Sequence, residues 1–141
     1  MVDLRLELVL IPVSDVDRAK TFYAEKAGFK LDLDHRVGEE FRVVQLTPPG
    51  SPCSISVGTG ITDAVPGSAR GMHLVVSGIE AARAELVERG VDASEVQHFE
   101  SGEWAPGPDP QRRAYSAFAY FRDPDGNSWV LQEGSRSEPE A

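Results

Sequence analysis

The chain repeats itself. Val13-Ser14-Asp15-Val16-Asp17-Arg18-Ala19 opens a helical pattern that ends at Gly28, and Val76-Ser77-Gly78-Ile79-Glu80-Ala81-Ala82 opens another that ends at Gly90. The Val-Ser pairs lie 63 positions apart (13 to 76) and the glycines 62 (28 to 90), close to half of a 141-residue chain. The sequence therefore predicts one supersecondary unit of about sixty residues used twice.

Each copy reads the same way. Leu4 to Pro12 is an apolar, β-branched run and is expected as a strand. Asp15 is placed to cap a helix, with Val16, Ala19, Phe22, Tyr23 and Ala27 at helical spacing and Gly28 where a left-handed residue ends it. Phe29 to His35, Phe41 to Leu46 and Cys53 to Val57 are expected strands. The segment from Thr47 to Pro52, with three prolines, interrupts the last two. In the second copy Met72 to Val76 is a strand, Ile79 to Arg89 a helix, and Val91 to Phe99 a strand with a loose end. Tyr115 to Arg122 and Ser128 to Glu133 form a hairpin about Asp123-Pro124-Asp125-Gly126. The predicted class is α+β, two βαβββ modules over about 1–62 and 68–134 of a single domain, with a polar tail at 135–141. From Glu100 to Arg113 the pattern fails; Gly102, Pro106, Gly107, Pro108 and Pro110 argue against regular structure, leaving a binding loop or a surface insertion.

Composition narrows the function. Net charge is −9, from 14 basic and 23 acidic residues, with no basic cluster beyond Arg112-Arg113. That field repels polyphosphates, so neither nucleic acid nor membrane is expected as a partner. Cys53 is the only cysteine, which excludes an internal disulfide. MVDLRLELVL lacks the charged, apolar and small-residue order of a signal peptide, and a cytoplasmic protein is expected.

Four patterns in order resemble the vicinal-oxygen-chelate superfamily of glyoxalase, bleomycin-resistance and extradiol-dioxygenase relatives. They are Val13 to Ala19 with Phe22-Tyr23, Gly28-Phe29, Val76-x-x-Ile79-Glu80-Ala81 before Gly90, and Asp123-Pro124-Asp125-Gly126-Asn127; together they span residues 4 to 133. The resemblance implies two modules curving a mixed sheet around a cleft, and a homodimer. It also implies a divalent metal at four inward positions, which fall here at Leu8, Ser56, Gly71 and Val130. None offers an imidazole or carboxylate, so no metal and no other cofactor is expected. A shifted ligand set remains the alternative: His73 and Gln132 keep the inward parity, while Glu7 and Glu133 turn to the opposite face.

On the same alternation Leu6, Leu8, Leu10, Ser54, Ser56, Val75, Ser128, Val130 and Gln132 line the cleft, a mostly apolar surface suited to a small molecule. Arg42 and Tyr120 are expected on a similar face, and Trp104 in position to stack on a planar ligand. His73 is the candidate acid/base residue, or a histidine satisfied by its neighbours. Trp129 and Cys53 fall on the helix side as core. The leading expectation is a protein without the usual metal ligands that binds a hydrophobic or aromatic small molecule, with sequestration of an antibiotic or metabolite as the role. Its rivals are a glyoxalase-type lyase or isomerase, metal-dependent or acid/base, and a homodimer whose cleft is packed solid.

Overall fold

The computed structural model describes residues 1–134; the tail lies outside the described residues. The chain divides into two compact units, one of residues 1–69 with 123–127, the other of 70–122 continued from Ser128. Among the described residues no helix is long and apolar enough to cross a membrane.

The first unit contains β1 (Leu8–Leu10), α1 (Val16–Thr21), β2 (Lys30–Val37), β3 (Phe41–Thr47) and β4 (Ser54–Thr59), in the sheet order β1-β4-β3-β2. β1 runs parallel to β4 and the remaining neighbours are antiparallel. Asp15 caps α1 as expected, its carboxylate accepting from the Arg18 amide at 3.0 Å. The helix then widens into a π turn over Phe22–Lys26, which rolls Phe22 and Tyr23 into the core. Gly28, at φ +80°, lets the chain reverse. Ile11, Val44, Leu46, Ile55 and Val57 are buried with Ala19, Phe22 and Tyr23.

β1 is shorter than the run from Leu4 to Pro12 suggests. Its partner begins at Ser54, opposite Leu8, and before Ser54 comes the proline-rich segment that cannot extend a ladder. Residues 2–7 therefore have no strand to pair with in this unit.

The second unit repeats the scheme with β5 (Met72–Val76), α2 (Ile79–Glu88), β6 (Gln97–Glu100), β8 (Ala117–Arg122) and β9 (Ser128–Glu133), and adds β7 (Glu103–Pro106). The order is β5-β9-β8-β6-β7, the first four in the places of β1, β4, β3 and β2, with β7 as a new edge. Helix α2 packs on β8 and β9. Its N-terminus is capped from across the sheet: Glu133 accepts from the amides of Ile79 and Gly78 at 2.9 and 3.2 Å.

The structure corrects the expectation for residues 100–113. Ser101 and Gly102 both have positive φ, +54° and +81°, the geometry of a tight two-residue hairpin turn, and Glu100 pairs with Glu103 across it. Pro106 is tolerated because β7 is an edge strand. The following stretch is organised by Asp109, which is buried and accepts from the amides of Gln111 and Arg113, from Arg113 Nε at 2.7 Å and from Ser116 Oγ at 2.7 Å. Val91 to Val96, expected as strand, is irregular, though Ser94 and Tyr120 exchange two hydrogen bonds.

Candidate functional site

Strand alternation gives each sheet one helix-covered and one open face. In the second unit the register sets His73 beside Val130, Val75 beside Gln132, Tyr120 beside Val130 and Phe118 beside Gln132. These side chains share the open face, while Leu74, Trp129, Leu131 and Ala119 turn toward α2. The structure thus brings together His73, Val75, Tyr120, Val130 and Gln132, all expected on one surface, and Ser128 with them.

Trp104 joins them through β7. It stands opposite Phe99, and its ring lies 5.2 Å from Phe99 and 5.5 Å from Phe118, edge to face in both cases. Phe99, Trp104, Phe118 and Tyr120 form an aromatic tract, with Trp104 51% exposed and Phe99 47%. Gln97 reaches the Tyr120 hydroxyl at 3.4 Å, and the Gln132 amide donates to the Tyr115 carbonyl at 3.2 Å. A depression of about 620 Å³ opens beside this tract, lined by Asp92, Ser94, Tyr120, Arg122, Ser128 and Val130 among others. Phe99 and Gln97 are missing from the expected site because β7 was missing, and Phe118, on Tyr120's face of β8, was open to the same counting but not drawn from it. The signal was Ser101-Gly102 between two aromatics.

His73 is exposed, and its Nδ1 lies 2.6 Å from the Gly71 carbonyl oxygen. A carbonyl only accepts, so Nδ1 carries the proton and neutral His73 keeps a lone pair on Nε2.

In the first unit Leu8, Leu10, Ser54 and Ser56 share the open face with Gln45, as the register requires. Both leucines are 40% exposed, whereas the serines are buried between the strands. Ser54 Oγ bonds Thr47 Oγ1 at 2.6 Å. Ser56 Oγ is buried and, among the described residues, has no hydrogen-bond partner.

Arg42 departs from its expected place. It has the parity of Val44 and Leu46, hence the helix side, and it is 8% exposed. Its guanidinium forks onto Asp34 at 3.0 and 2.9 Å and reaches Asp17 at 2.8 Å. Those hydrogen bonds, with one from Lys20, hold the Asp34 carboxyl well below the usual carboxylate range, and Arg42 also lowers Asp17. Arg42 ties α1 to β2 through Asp17 and Asp34 and lies off the open face.

A buried histidine supports the hairpin. His98 lies on β6 opposite Ala105; its Nδ1 meets the Gly107 carbonyl and its Nε2 meets Glu100, each at 2.8 Å. The Gly107 carbonyl first, and Glu100 second, raise its pKa against the opposing effect of burial.

The family's metal positions can be tested against these residues. Leu8 and Val130 present hydrocarbon, Gly71 presents no side chain, and the lone oxygen is the neutral hydroxyl of Ser56. Among the described residues no three His, Cys, Asp or Glu side chains gather closely enough to hold an ion. Glu133, a donor in the shifted set, is spent on the N-terminus of α2.

The sequence model of the glyoxalase/bleomycin resistance protein/dioxygenase superfamily matches residues 5–131. The chain belongs to that superfamily. Among superfamily structures it is similar to TnmS3, an antibiotic binding protein from Streptomyces sp. CB03234, at 33% identity and TM-score 0.73, covering 96% of this chain and 99% of that one. A glyoxalase/bleomycin resistance protein from the same Streptomyces is 34% identical with TM-score 0.68, over 91% and 99% of the two chains. In sequence the chain is 25% identical over 128 residues to the uncharacterised protein YetH of Bacillus subtilis (strain 168), covering 89% of this chain and 94% of that one. The glyoxalase/bleomycin-resistance fold accounts for the duplicated βαβββ order, to which the second unit adds β7.

Proposed function

We propose that this superfamily member binds a planar, hydrophobic small molecule on the open face of the second unit, without a metal, and sequesters it. The observation that carries the reading is the tract of exposed Phe99 and Trp104 with half-buried Phe118 and Tyr120, flanked by the amides of Gln97 and Gln132. An apolar surface with a few polar groups suits a small-molecule guest, and the depression of about 620 Å³ shares Tyr120 with it. The donor chemistry at Leu8, Ser56, Gly71 and Val130 does not fit a divalent cation, so no step is assigned to one. The likeness to an antibiotic binding protein supports an antibiotic or an aromatic metabolite as the guest.

Trp104 reports on the site. The other tryptophan, Trp129, is buried and stacked on Phe121 at 6.0 Å. Titration with polycyclic aromatic antibiotics and simpler aromatics is expected to quench the exposed tryptophan saturably, with the ligand recovered unchanged. A flat titration across the panel defeats the reading.

His73 favours a second reading, a metal-free lyase or isomerase of the glyoxalase type. Its Nε2 lone pair lies on the same open face and is free to take a proton. Chemical change of a bound ligand, abolished by H73A while binding persists, would select this reading over sequestration.

A further inference from the structure

The row of side chains on the open face of β8 changes character at its end. Phe118, Tyr120 and Arg122 alternate onto that face, and Trp104 packs on Phe118. The aromatic tract thus leads along the strand to a guanidinium two residues, or about 7 Å, beyond Tyr120. Arg122 stands opposite Ser128 in the ladder, and both border the depression of about 620 Å³ with Tyr120.

Arg122 differs from its neighbours in this unit. Arg83, Arg89, Arg112 and Arg113 hold Glu95, Glu85, Glu80 and Asp109. Arg122 is exposed, and among the described residues its guanidinium holds no carboxylate. With 23 acidic residues against 14 basic ones, internal partners are in ample supply, yet Arg122 goes without one beside the ligand tract.

The adjoining hydroxyls add donors. Ser128 Oγ accepts from the Gly71 amide at 2.8 Å, and Tyr120 Oη accepts from the Gln97 side chain at 3.4 Å. Each hydroxyl keeps its own hydrogen to donate, since among the described residues neither has an acceptor. Ser94, by contrast, is engaged both ways, accepting from the Tyr120 amide and donating to the Glu95 carbonyl. Asp92 is the one opposing charge at this depression, and it does not pair with Arg122.

We propose that the guest is an aromatic carboxylic acid, its rings against Trp104, Phe118 and Tyr120 and its carboxylate held by Arg122 and Ser128. This rests on the sequestration reading and adds the chemical class of the guest. A carboxylate matches the planar fork of a guanidinium, which gives it two parallel charge-assisted hydrogen bonds. The net charge of −9 that repels polyphosphates acts here on a single charge. Salt screens that field beyond about 8–10 Å, so the guanidinium in contact outweighs it. Asp92 sets the limit, because its carboxylate competes with the guest for Arg122.

Isothermal titration of the full chain with pyrenecarboxylate and its neutral carboxamide tests it, because the two share their rings and differ in charge. Wild type is expected to bind the carboxylate about five- to tenfold more tightly, the range of a charge-assisted pair that stays partly in water. R122Q should erase that preference and leave the carboxamide within about twofold of wild type, while D92N should widen it. W104A should weaken both probes alike and keep their ratio. Arg122 and Asp92 are exposed, so both variants should fold, which circular dichroism checks. Equal affinity for the two probes, or a preference that survives R122Q, overturns the proposal and leaves the sequestration reading standing. If wild type binds neither probe, that reading falls and the proposal with it.

Discussion

Tyr23 donates its phenolic hydrogen to Asp123 at 2.7 Å, joining residues 100 positions apart within the first unit. Asp123 also accepts from the amides of Asp125 and Asn127, both at 2.9 Å, and from the Asn127 side chain at 2.7 Å, while that side chain donates to the Pro12 carbonyl at 2.8 Å. The Asp-Pro-Asp-Gly-Asn turn is thus a plug whose polar atoms are satisfied in the first unit. Y23F removes one buried bond to a carboxylate and should cost about 1.5–3 kcal/mol; D123A strands several donors and should cost more. Urea midpoints at unchanged slope provide the measurement.

For the ligand site, W104A should weaken aromatic ligands about three- to tenfold, the range that ~0.5–1.5 kcal/mol of ring contact supplies, with W104F close to wild type. Thermal stability should barely move, because Trp104 is half exposed on an edge strand. Isothermal titration with the best panel compound distinguishes this from unfolding.

His98 makes the hairpin sensitive to pH. Protonated, it donates from both nitrogens, to the Gly107 carbonyl and to Glu100; neutral, it loses one of these bonds. Its folded pKa is raised, so its stabilisation is complete below the unfolded value of about 6.5 and is lost as pH climbs through the higher folded value. Wild-type Tm should therefore fall across that window, and H98Q should flatten the fall.

The carboxylates around Arg42 should behave unequally. The Asp34 side chain is 24% exposed and takes two bonds from the guanidinium, whereas the Asp17 side chain is 81% exposed. D34A should lower the urea midpoint clearly and D17A hardly at all. Because the Asp34 pKa is depressed, its contribution is present above the ordinary carboxylate value and fades as pH falls through the folded one. The gap between wild type and D34A should close in acid.

Alternation and duplication made much of this molecule legible. The faces of β5, β8 and β9 follow from counting alone, which is why His73, Val75, Tyr120, Val130 and Gln132 fall together. Arg42 was misplaced because counting across the Val43-Val44 pair gives no cue to which face is inward; only the acidic partners on α1 and β2 decide it. The strand β7 was hidden by its prolines and glycines, whose effect depends on position: Gly102 completes the turn, and Pro106 sits where no amide is needed. Leu4 to Glu7 read as strand from their apolar alternation, but β4 begins only at Ser54, opposite Leu8, and the first unit gives them no ladder.

The added strand pairs with β6 alone. Trp104, one of the four rings of the aromatic tract, therefore rides on a short segment outside the repeated framework, with His98 and Asp109 bracing its hairpin. Substitutions in that segment can alter the ring surface presented at Trp104 while the doubled scaffold, which does not depend on it, keeps its pairing.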